Sequence, residues 1–174
     1  MRVLVVGANG HTGRRIVQLL RDGAHEPIAM VRDTTQVPHF EELGVATVVA
    51  DLEEPLDPAM EAAGLSRYVM LSALRADPGS EGSPISHYLR AKGIADEHLR
   101  RSDLHYTIVR PGRLTSGEGT GKVELEPDPE SGGSIPRDDM AAVMVATLDQ
   151  RGPVRKTFDL VEGSTPIAEA LSSL

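Results

Sequence analysis

The sequence contains no cysteine and no tryptophan, and its aromatic residues are three tyrosines and two phenylalanines. Without cysteine, neither disulfides nor thiolate metal sites can form, which fits a reducing compartment. So few rings offer no stacking platform for single-stranded nucleic acid, and a net charge of −8 repels phosphate backbones. We therefore expect a small-molecule substrate rather than a nucleic-acid partner.

Long hydrophobic runs are also lacking. The early apolar run Val3 to Val6 is too short for a signal peptide, and no later run approaches the length of a membrane span. The six histidines show no metal-ligand spacing, and no G-x-S-x-G nucleophile elbow is present. The 174 residues, 40% of them hydrophobic, suit one domain over residues 1–174. We expect a cytoplasmic protein with no membrane contact and no metal; its oligomeric state is open.

Predicted strands and helices alternate along the chain. The strands are Val3–Val6, Pro27–Val31, Val45–Ala50, Tyr68–Leu71, His105–Val109 and Thr157–Val161. Helices are predicted around 16–20, at 37–43, from Asp57-Pro58 to Gly64, at 86–101 and 137–148, and after Thr165-Pro166. Strands one and three read as buried on both faces of a parallel sheet. The pattern predicts an α/β fold with a Rossmann-like, doubly wound, mostly parallel sheet.

The helix predicted at 86–101 has two further expected features. Ser86 serves as its N-cap, since serine is among the preferred capping residues. The side chains of Leu89, Ile94, Ala95 and Leu99 face the sheet.

A glycine-rich corner joins the first strand to the first helix. Gly7, Gly10 and Gly13 follow one another at three-residue spacing in "VVGANGHTG". In such a unit the first glycine makes the tight turn, the second admits a pyrophosphate, and the third lets the helix pack closely. The helix start then offers free N–H groups and a positive dipole end. The strand–turn–helix context favours dinucleotide binding over a plain connecting turn.

The residues that follow strand two bear on the choice of dinucleotide. A carboxylate there would accept hydrogen bonds from a ribose 2′-hydroxyl, but the chain reads "MVRD", with Arg32 ahead of Asp33. Arg14 lies just past the glycines, and two guanidinium groups can clamp a phosphate. The sequence therefore favours NADP over NAD, while two solvated surface arginines remain the alternative.

A tyrosine and a lysine share one predicted helix face. Tyr88 and Lys92 are four residues apart in "HYLRAKG", so their side chains are neighbours. An ammonium group stabilises a nearby phenolate, which allows proton transfer at a carbonyl or carbinol oxygen. Ser72, after the fourth strand, could add a hydroxyl group to the same oxygen. Taken alone, this pair is also compatible with an ordinary half-buried helix face.

Motifs along nearly the whole chain resemble one family. "GANGHTG", "VRD", "ADLEE", "YVMLSAL", "YLRAK", "YTIVRPG" and "KTFDLVEGSTPIAEAL" occur in the order typical of atypical short-chain dehydrogenases/reductases. The chain is most similar to small bacterial NAD(P)H-binding proteins of the nucleotide-sugar epimerase-like group. The resemblance implies Tyr88 and Lys92 as the catalytic pair, with Ser72 beside them. The implied cofactor-binding residues are Gly7, Asn9, Gly10, His11, Thr12, Gly13, Arg14, Arg32, Asp51, Leu52, Pro111 and Gly112. By this resemblance Asp51 and Leu52 would border the adenine, and Pro111 and Gly112 would line the nicotinamide side.

The chain departs from this family in its middle. From Asp51, within "ADLEE", to Ser66, shortly before "YVMLSAL", the chain has only 16 residues, where the family usually carries a further strand and helix. Such a unit is about 30 residues or more with its partner strand, and the predicted join lies at 61–64. Without it, strand four would lie beside strand one, and Tyr88 and Lys92 would shift by ~4.8 Å relative to the glycine corner. Such a shift would impair catalysis more than it would impair cofactor binding.

Three functional hypotheses follow. The first is an NADP-dependent oxidoreductase that transfers hydride to or from a carbonyl or carbinol carbon, with epimerisation as a variant of the same chemistry. The second is a non-catalytic NADP(H)-binding sensor or regulator, and the third an NADPH-dependent flavin or quinone reductase.

The motif "GEGTGKVEL" resembles a P-loop but does not match its pattern. Ser116 and Val123 stand where glycine and a hydroxyl residue are needed. We expect a hairpin or substrate-side loop there.

Overall fold

The computed structural model describes residues 1–50, 67–128, 132–149 and 153–174. The chain divides into two compact units, Met1–Leu65 and Ser66–Leu174. The prediction of a single domain over the whole chain stays a prediction. So does the expected position of strand four beside strand one, since it relates the two units. The helix predicted between Asp57 and Gly64 lies outside the described residues.

The first unit contains a three-stranded parallel sheet in the order β1-β2-β3. Its elements in chain order are β1 (Arg2–Val6), α1 (His11–Asp22), β2 (Glu26–Val31), a 3-10 turn (Thr34–Gln36), α2 (Val37–Glu41) and β3 (Ala46–Val49). Helix α1 is amphipathic and buries Val17 and Leu20. These residues belong to a core completed by Val5, Ala29, Met30, Phe40 and Val45.

The expected burial of the first and third strands is wrong. In β1 only Val5 is buried, and in β3 Val48 and Val49 remain 45% and 46% exposed. Within the described residues, both strands form the edges of a three-stranded sheet, so each pairs with another strand on one side alone. An apolar run predicts a strand, but its burial depends on how many elements cover it.

The second unit is built around a five-stranded sheet in the order β10-β7-β9-β5-β4. The strands of this unit, in chain order, are β4 (Arg67–Leu71), β5 (His105–Pro111), β6 (Arg113–Thr115), β7 (Lys122–Leu125), β8 (Ser134–Pro136), β9 (Lys156–Glu162) and β10 (Thr165–Pro166). Its helices are α3 (Ser86–Arg101), α4 (Arg137–Asp149) and α5 (Ile167–Ser172). Strands β4, β5 and β9 are parallel, whereas β7 pairs antiparallel with both β9 and β10.

The core of the second unit lies between the sheet and its helices. Leu99 of α3 joins Tyr106 and Ile108 of β5 in a cluster that also contacts β4. On α4 the buried side chains include Met140 and Val143. The element order and the mostly parallel pairing confirm the predicted Rossmann-like α/β class. Among the described residues, no helix has both the length and the apolar character needed to cross a membrane.

Two details of α3 differ from expectation. Ser86 is the first residue of the helix rather than its cap, and its hydroxyl oxygen accepts a hydrogen bond from the N–H of Ser83. Ile94, expected to face the sheet, is 56% exposed. Gly93 and Asp96 are buried instead. At Gly93 an added Cβ would lie 2.4 Å from the Asp77 carbonyl carbon, so the loop after β4 packs directly against the helix there.

Candidate functional site

The glycine corner of the first unit has the geometry predicted for it. Gly7 directly follows β1 and has a φ of +72°, a left-handed conformation that suits glycine. Its carbonyl accepts the N–H of Gly10 at 2.9 Å, which closes the turn. An added Cβ on Gly13 would lie 2.3 Å from the Gly7 carbonyl oxygen. Gly13 therefore allows α1 to pack against the turn.

The start of α1 is open to a ligand. Gly10 occupies the N-cap position in an extended conformation, and no side chain caps the helix. The first N–H groups of a helix have no partner within it, and the helix dipole adds positive potential at this end. Gly10 and His11 are exposed, while Thr12 and Gly13 are partly buried. The corner therefore fits a pyrophosphate held by backbone amides.

Arg14 is fixed on the same corner by Asn9. Its Nε donates to the Asn9 backbone carbonyl at 3.2 Å and to Asn9 Oδ1 at 3.1 Å. Its Nη2 donates to the same Oδ1 at 2.6 Å. None of these contacts uses Nη1. The guanidinium group is thus held in an exposed position with donors left for an anion.

The carboxylate that follows β2 has a structural role. Asp33 Oδ1 accepts the backbone N–H of Thr35 at 2.8 Å and caps the 3-10 turn. That hydrogen bond, reinforced by the charge of Arg32, lowers the pKa of Asp33. Arg32 is exposed and makes no hydrogen bond or ion pair with any other residue that the structure describes. Asp51 and Leu52, predicted beside the adenine, lie outside the described residues.

In the second unit, Lys92 connects α3 to the carboxyl end of β4. Its Nζ donates to the carbonyl oxygen of Leu71 at 2.9 Å and lies 5.9 Å from the centroid of the Tyr88 ring. The neighbouring Ser72 is only 2% exposed, and its Oγ is buried and has no hydrogen-bond partner among the described residues. A buried hydroxyl group without a partner is uncommon in proteins. The structure thus brings Tyr88, Lys92 and Ser72 to one region of this unit.

Burial dominates the ionisation of the predicted pair. Tyr88 is 44% exposed, and partial burial raises the pKa of its phenol. Burial lowers the pKa of Lys92, while the negative charge of Asp96 opposes that change. The lowered tyrosine pKa expected from an adjacent ammonium group is therefore not found in this structure.

Pro111 and Gly112, predicted on the nicotinamide side, lie where β5 ends. Pro111 is buried and accepts the N–H of Leu74 at 2.8 Å, which links this end of β5 to the residues after β4. An added Cβ on Gly112 would lie 2.6 Å from the Gly133 carbonyl oxygen. Close backbone packing is therefore sufficient to require glycine at position 112.

The charged pair of Asp96 and Arg110, near Lys92, was not predicted from the sequence. Asp96 is fully buried on α3, and its Oδ2 accepts Arg110 Nε from β5 at 2.7 Å. The available signals were the four-residue spacing from Lys92 to Asp96 and an arginine within the apolar strand "YTIVRPG".

The motif "GEGTGKVEL" forms a loop that leads into β7. Asp139, in the first turn of α4, accepts the backbone N–H groups of Thr120 and Gly121 at 2.8 and 2.7 Å. A carboxylate at these amides leaves no place for a phosphate, which agrees with the rejection of a P-loop.

Comparison with known families gives a match over most of the chain. A family model described as NAD(P)H-binding matches residues 7–58 and 56–151. An uncharacterised sugar epimerase of Bacillus subtilis, YhfK, is 36% identical over 215 aligned positions, which cover all of both chains.

Two solved structures are similar to this chain over its whole length. A protein of Bacillus halodurans, provisionally named an NAD-dependent epimerase/dehydratase, superposes with a TM-score of 0.90 at 38% identity over all of both chains. The oxidoreductase YlbE of Lactococcus lactis has a TM-score of 0.87 at 24% identity, covering 100% of this chain and 96% of its own. The latter likeness concerns the fold alone.

The comparisons also bear on the missing strand–helix unit. The family match breaks into two segments that overlap at residues 56–58, close to the predicted join at 61–64. The alignment with YhfK has 215 positions and this chain 174 residues, so at least 41 positions have no residue here. Both observations agree with a chain shorter than its relative, and the family match places the break at residues 56–58.

Proposed function

We propose, from the premise that this chain belongs to the NAD(P)H-binding family, that it is an NADP-dependent oxidoreductase of the atypical short-chain type. Hydride would pass between the nicotinamide and a carbonyl or carbinol carbon of a small molecule. The observation that carries this proposal is the placement of Lys92 between Tyr88 and the Leu71 carbonyl, next to the partnerless Ser72 hydroxyl group.

Each residue has a role in the proposed reaction. The N–H groups at the start of α1 would hold the pyrophosphate, and the nicotinamide would supply the hydride when bound. Tyr88 would transfer a proton to the substrate oxygen, to which Ser72 would also donate a hydrogen bond. Lys92 would hold the nicotinamide ribose and stabilise the phenolate that forms. Because burial raises the pKa of Tyr88, the free protein holds a neutral phenol at pH 7, the form that donates a proton in carbonyl reduction.

The preference for NADP rests on the residues after β2. Asp33 caps a turn through Thr35, while Arg32 is exposed and Arg14 is fixed with Nη1 unused. This arrangement supports guanidinium contacts to a 2′-phosphate rather than a carboxylate contact to a free 2′-hydroxyl.

Fluorescence titration with NADPH and NADH tests this preference. We expect tighter binding of NADPH and, in Arg32→Ala, a loss of NADPH affinity of about tenfold or more with little change for NADH. Arg21→Ala is the matched control because Arg21 is a semi-exposed arginine at the far end of α1. A preference of the native protein for NADH would contradict the proposal.

The names of two relatives suggest a substrate panel. YhfK carries the name of a sugar epimerase, and the Bacillus halodurans protein that of an epimerase/dehydratase. Epimerisation through a transient ketone would use the same Tyr88 and Lys92 chemistry. Sugars and simple aldehydes or ketones should therefore be screened for NADPH oxidation and for inversion of configuration.

The interrupted family match favours one rival, an NADP(H)-binding sensor without turnover. The Tyr88→Phe variant separates the two, with Tyr106→Phe as the matched control in β5. The oxidoreductase proposal predicts loss of turnover with unchanged NADPH affinity in Tyr88→Phe alone. NADPH binding with no turnover on the panel by the native protein would favour the sensor.

A further inference from the structure

A buried charged pair supports the helix that carries Tyr88 and Lys92. Asp96 lies on α3, one turn beyond Lys92, and none of its side chain is exposed. Its Oδ2 accepts Arg110 Nε at 2.7 Å and lies 2.5 Å from Arg110 Nη2. Arg110 belongs to β5 and pairs in register with Asp159 of β9. Three elements therefore meet at the Asp96 carboxylate.

The second oxygen of this carboxylate has no partner. Asp96 Oδ1 is buried and makes no hydrogen bond within the described part of the chain. An acceptor withdrawn from water in this way destabilises the folded protein. Replacing a buried ion pair with apolar residues is often neutral or stabilising. Stability alone is thus a weak reason for a buried aspartate here, and a role toward a neighbouring cation explains it better.

Two arginines contact the Asp96 carboxylate, Arg110 on β5 and Arg100 on α3, whose Nη2 lies 4.0 Å from Oδ2. Lys92 is a further cation, one helical turn from Asp96. Residues four apart on a helix share a face, so Tyr88, Lys92 and Asp96 lie along one side of α3. Burial disfavours the charged form of Lys92, and Asp96 favours it. Asp159 on β9 also interacts with Asp96 and is itself affected by Glu126, beyond β7.

We propose that Asp96 is a positioning residue that keeps the Lys92 ammonium group charged beside Tyr88, and that Arg110 holds the Asp96 carboxylate in place for this task. The proposal rests on the proposed function, since a charged Lys92 matters only if Tyr88 transfers a proton. Asp96 acts through Lys92 and is not itself expected to touch substrate or cofactor.

Titration of the lysines by NMR tests the proposal without nucleotide or substrate. The chain has three lysines, Lys92, Lys122 and Lys156, so ¹³Cε labelling gives three signals. Lys122 and Lys156 are exposed and act as internal controls. In Asp96→Asn we expect the pKa of Lys92 to fall clearly more than those of the controls. Asp96→Glu, which retains the charge, should restore most of the native value.

Two results would overturn the proposal. In one, the pKa of Lys92 moves no more than those of the control lysines in folded Asp96→Asn. In the other, Asp96→Glu lowers it as much as the asparagine does. If Asp96→Asn does not fold, the double variant Asp96→Asn with Arg110→Gln replaces it, because no unpaired charge is then left buried. A smaller fall in the pKa of Lys92 is expected there, because the loss of the Arg110 charge partly offsets the loss of the Asp96 charge, and a Lys92 pKa that moves no more than those of the control lysines would again contradict the proposal.

The lysine titration and nucleotide binding can fail separately. An unshifted Lys92 with intact NADPH binding contradicts the role of Asp96 and leaves the proposed function standing. Normal lysine behaviour with no affinity for any pyridine nucleotide contradicts the proposed function alone.

Discussion

The glycine corner of the first unit and the Tyr88 face of the second differ in how their geometry is fixed. The corner is a property of one short segment, in which backbone conformation at Gly7 and close packing at Gly13 define the turn. The Tyr88 face depends on contacts between residues far apart in sequence, such as Lys92 with Leu71 and Asp96 with Arg110. Local chain geometry thus prepares the nucleotide site, whereas long-range side-chain contacts prepare the proposed chemistry.

Because of this difference, the predicted lack of a strand–helix unit need not disturb the glycine corner. Every contact that shapes the corner lies within residues 7–14 or reaches the adjacent β2. The lack of such a unit would affect the proposed catalytic residues more, because they belong to a separate unit of the chain. Nucleotide binding and turnover should therefore be separable by mutation.

The largest expected effect is on the stability of the second unit. Arg110→Met removes the closest ion-pair partner of the fully buried Asp96 carboxylate and leaves only Arg100, at 4.0 Å; breaking such a buried pair costs about 3–5 kcal/mol. Urea denaturation should show this loss, and the double variant Asp96→Leu with Arg110→Met should recover most of it. A single variant within ~1 kcal/mol of the native protein would mean that the pair is not the main support of α3.

An intermediate effect is expected in the glycine corner. Gly13→Ala places a Cβ 2.3 Å from the Gly7 carbonyl oxygen, so α1 must move, at a cost of about 1–3 kcal/mol. NADPH affinity should be lost with it. Gly44→Ala is the control within the same unit, since Gly44 has a φ of +71° but open space around it. It should cost about 1–2 kcal/mol of strain and leave NADPH affinity unchanged.

Much of the fold could be predicted because periodicity and helix-ending residues are local signals. The pattern located β1, α1, β2, α2, β3, β4, α3, β5, α4, β9 and α5 to within a few residues. Strands β6, β7, β8 and β10 were missed, since each has two to four residues and lacks an apolar run like that of β3. A strand so short is defined by its partner, as β7 is by β9, and such pairing leaves no local pattern.

The candidate site shows the same division. The glycines and the Tyr88–Lys92 spacing can be recognised in the sequence. The hydrogen bonds of Arg14 to Asn9 and of Lys92 to Leu71 depend on side-chain rotamers, which the sequence does not specify. The error at Ile94 has a similar origin. A helical face was inferred from apolar residues, but the loop at Asp77 packs against Gly93 and turns Ile94 outward.

The smallest effect is expected at Asp33, which tests whether the residues after β2 act locally. Its pKa is lowered by the hydrogen bond from Thr35, so its capping stabilises the folded protein above the unfolded pKa of about 3.9. That stabilisation is lost as the pH falls through the lower folded value. The native protein should therefore melt slightly above Asp33→Ala at pH 7, with the difference shrinking in acid. Asp33→Asn, which can still cap the turn, should keep both the native melting temperature at pH 7 and the native NADPH preference. If Asp33→Asn instead weakened NADH binding sharply, Asp33 would be a ribose contact and the assignment of Arg32 to a 2′-phosphate would be wrong.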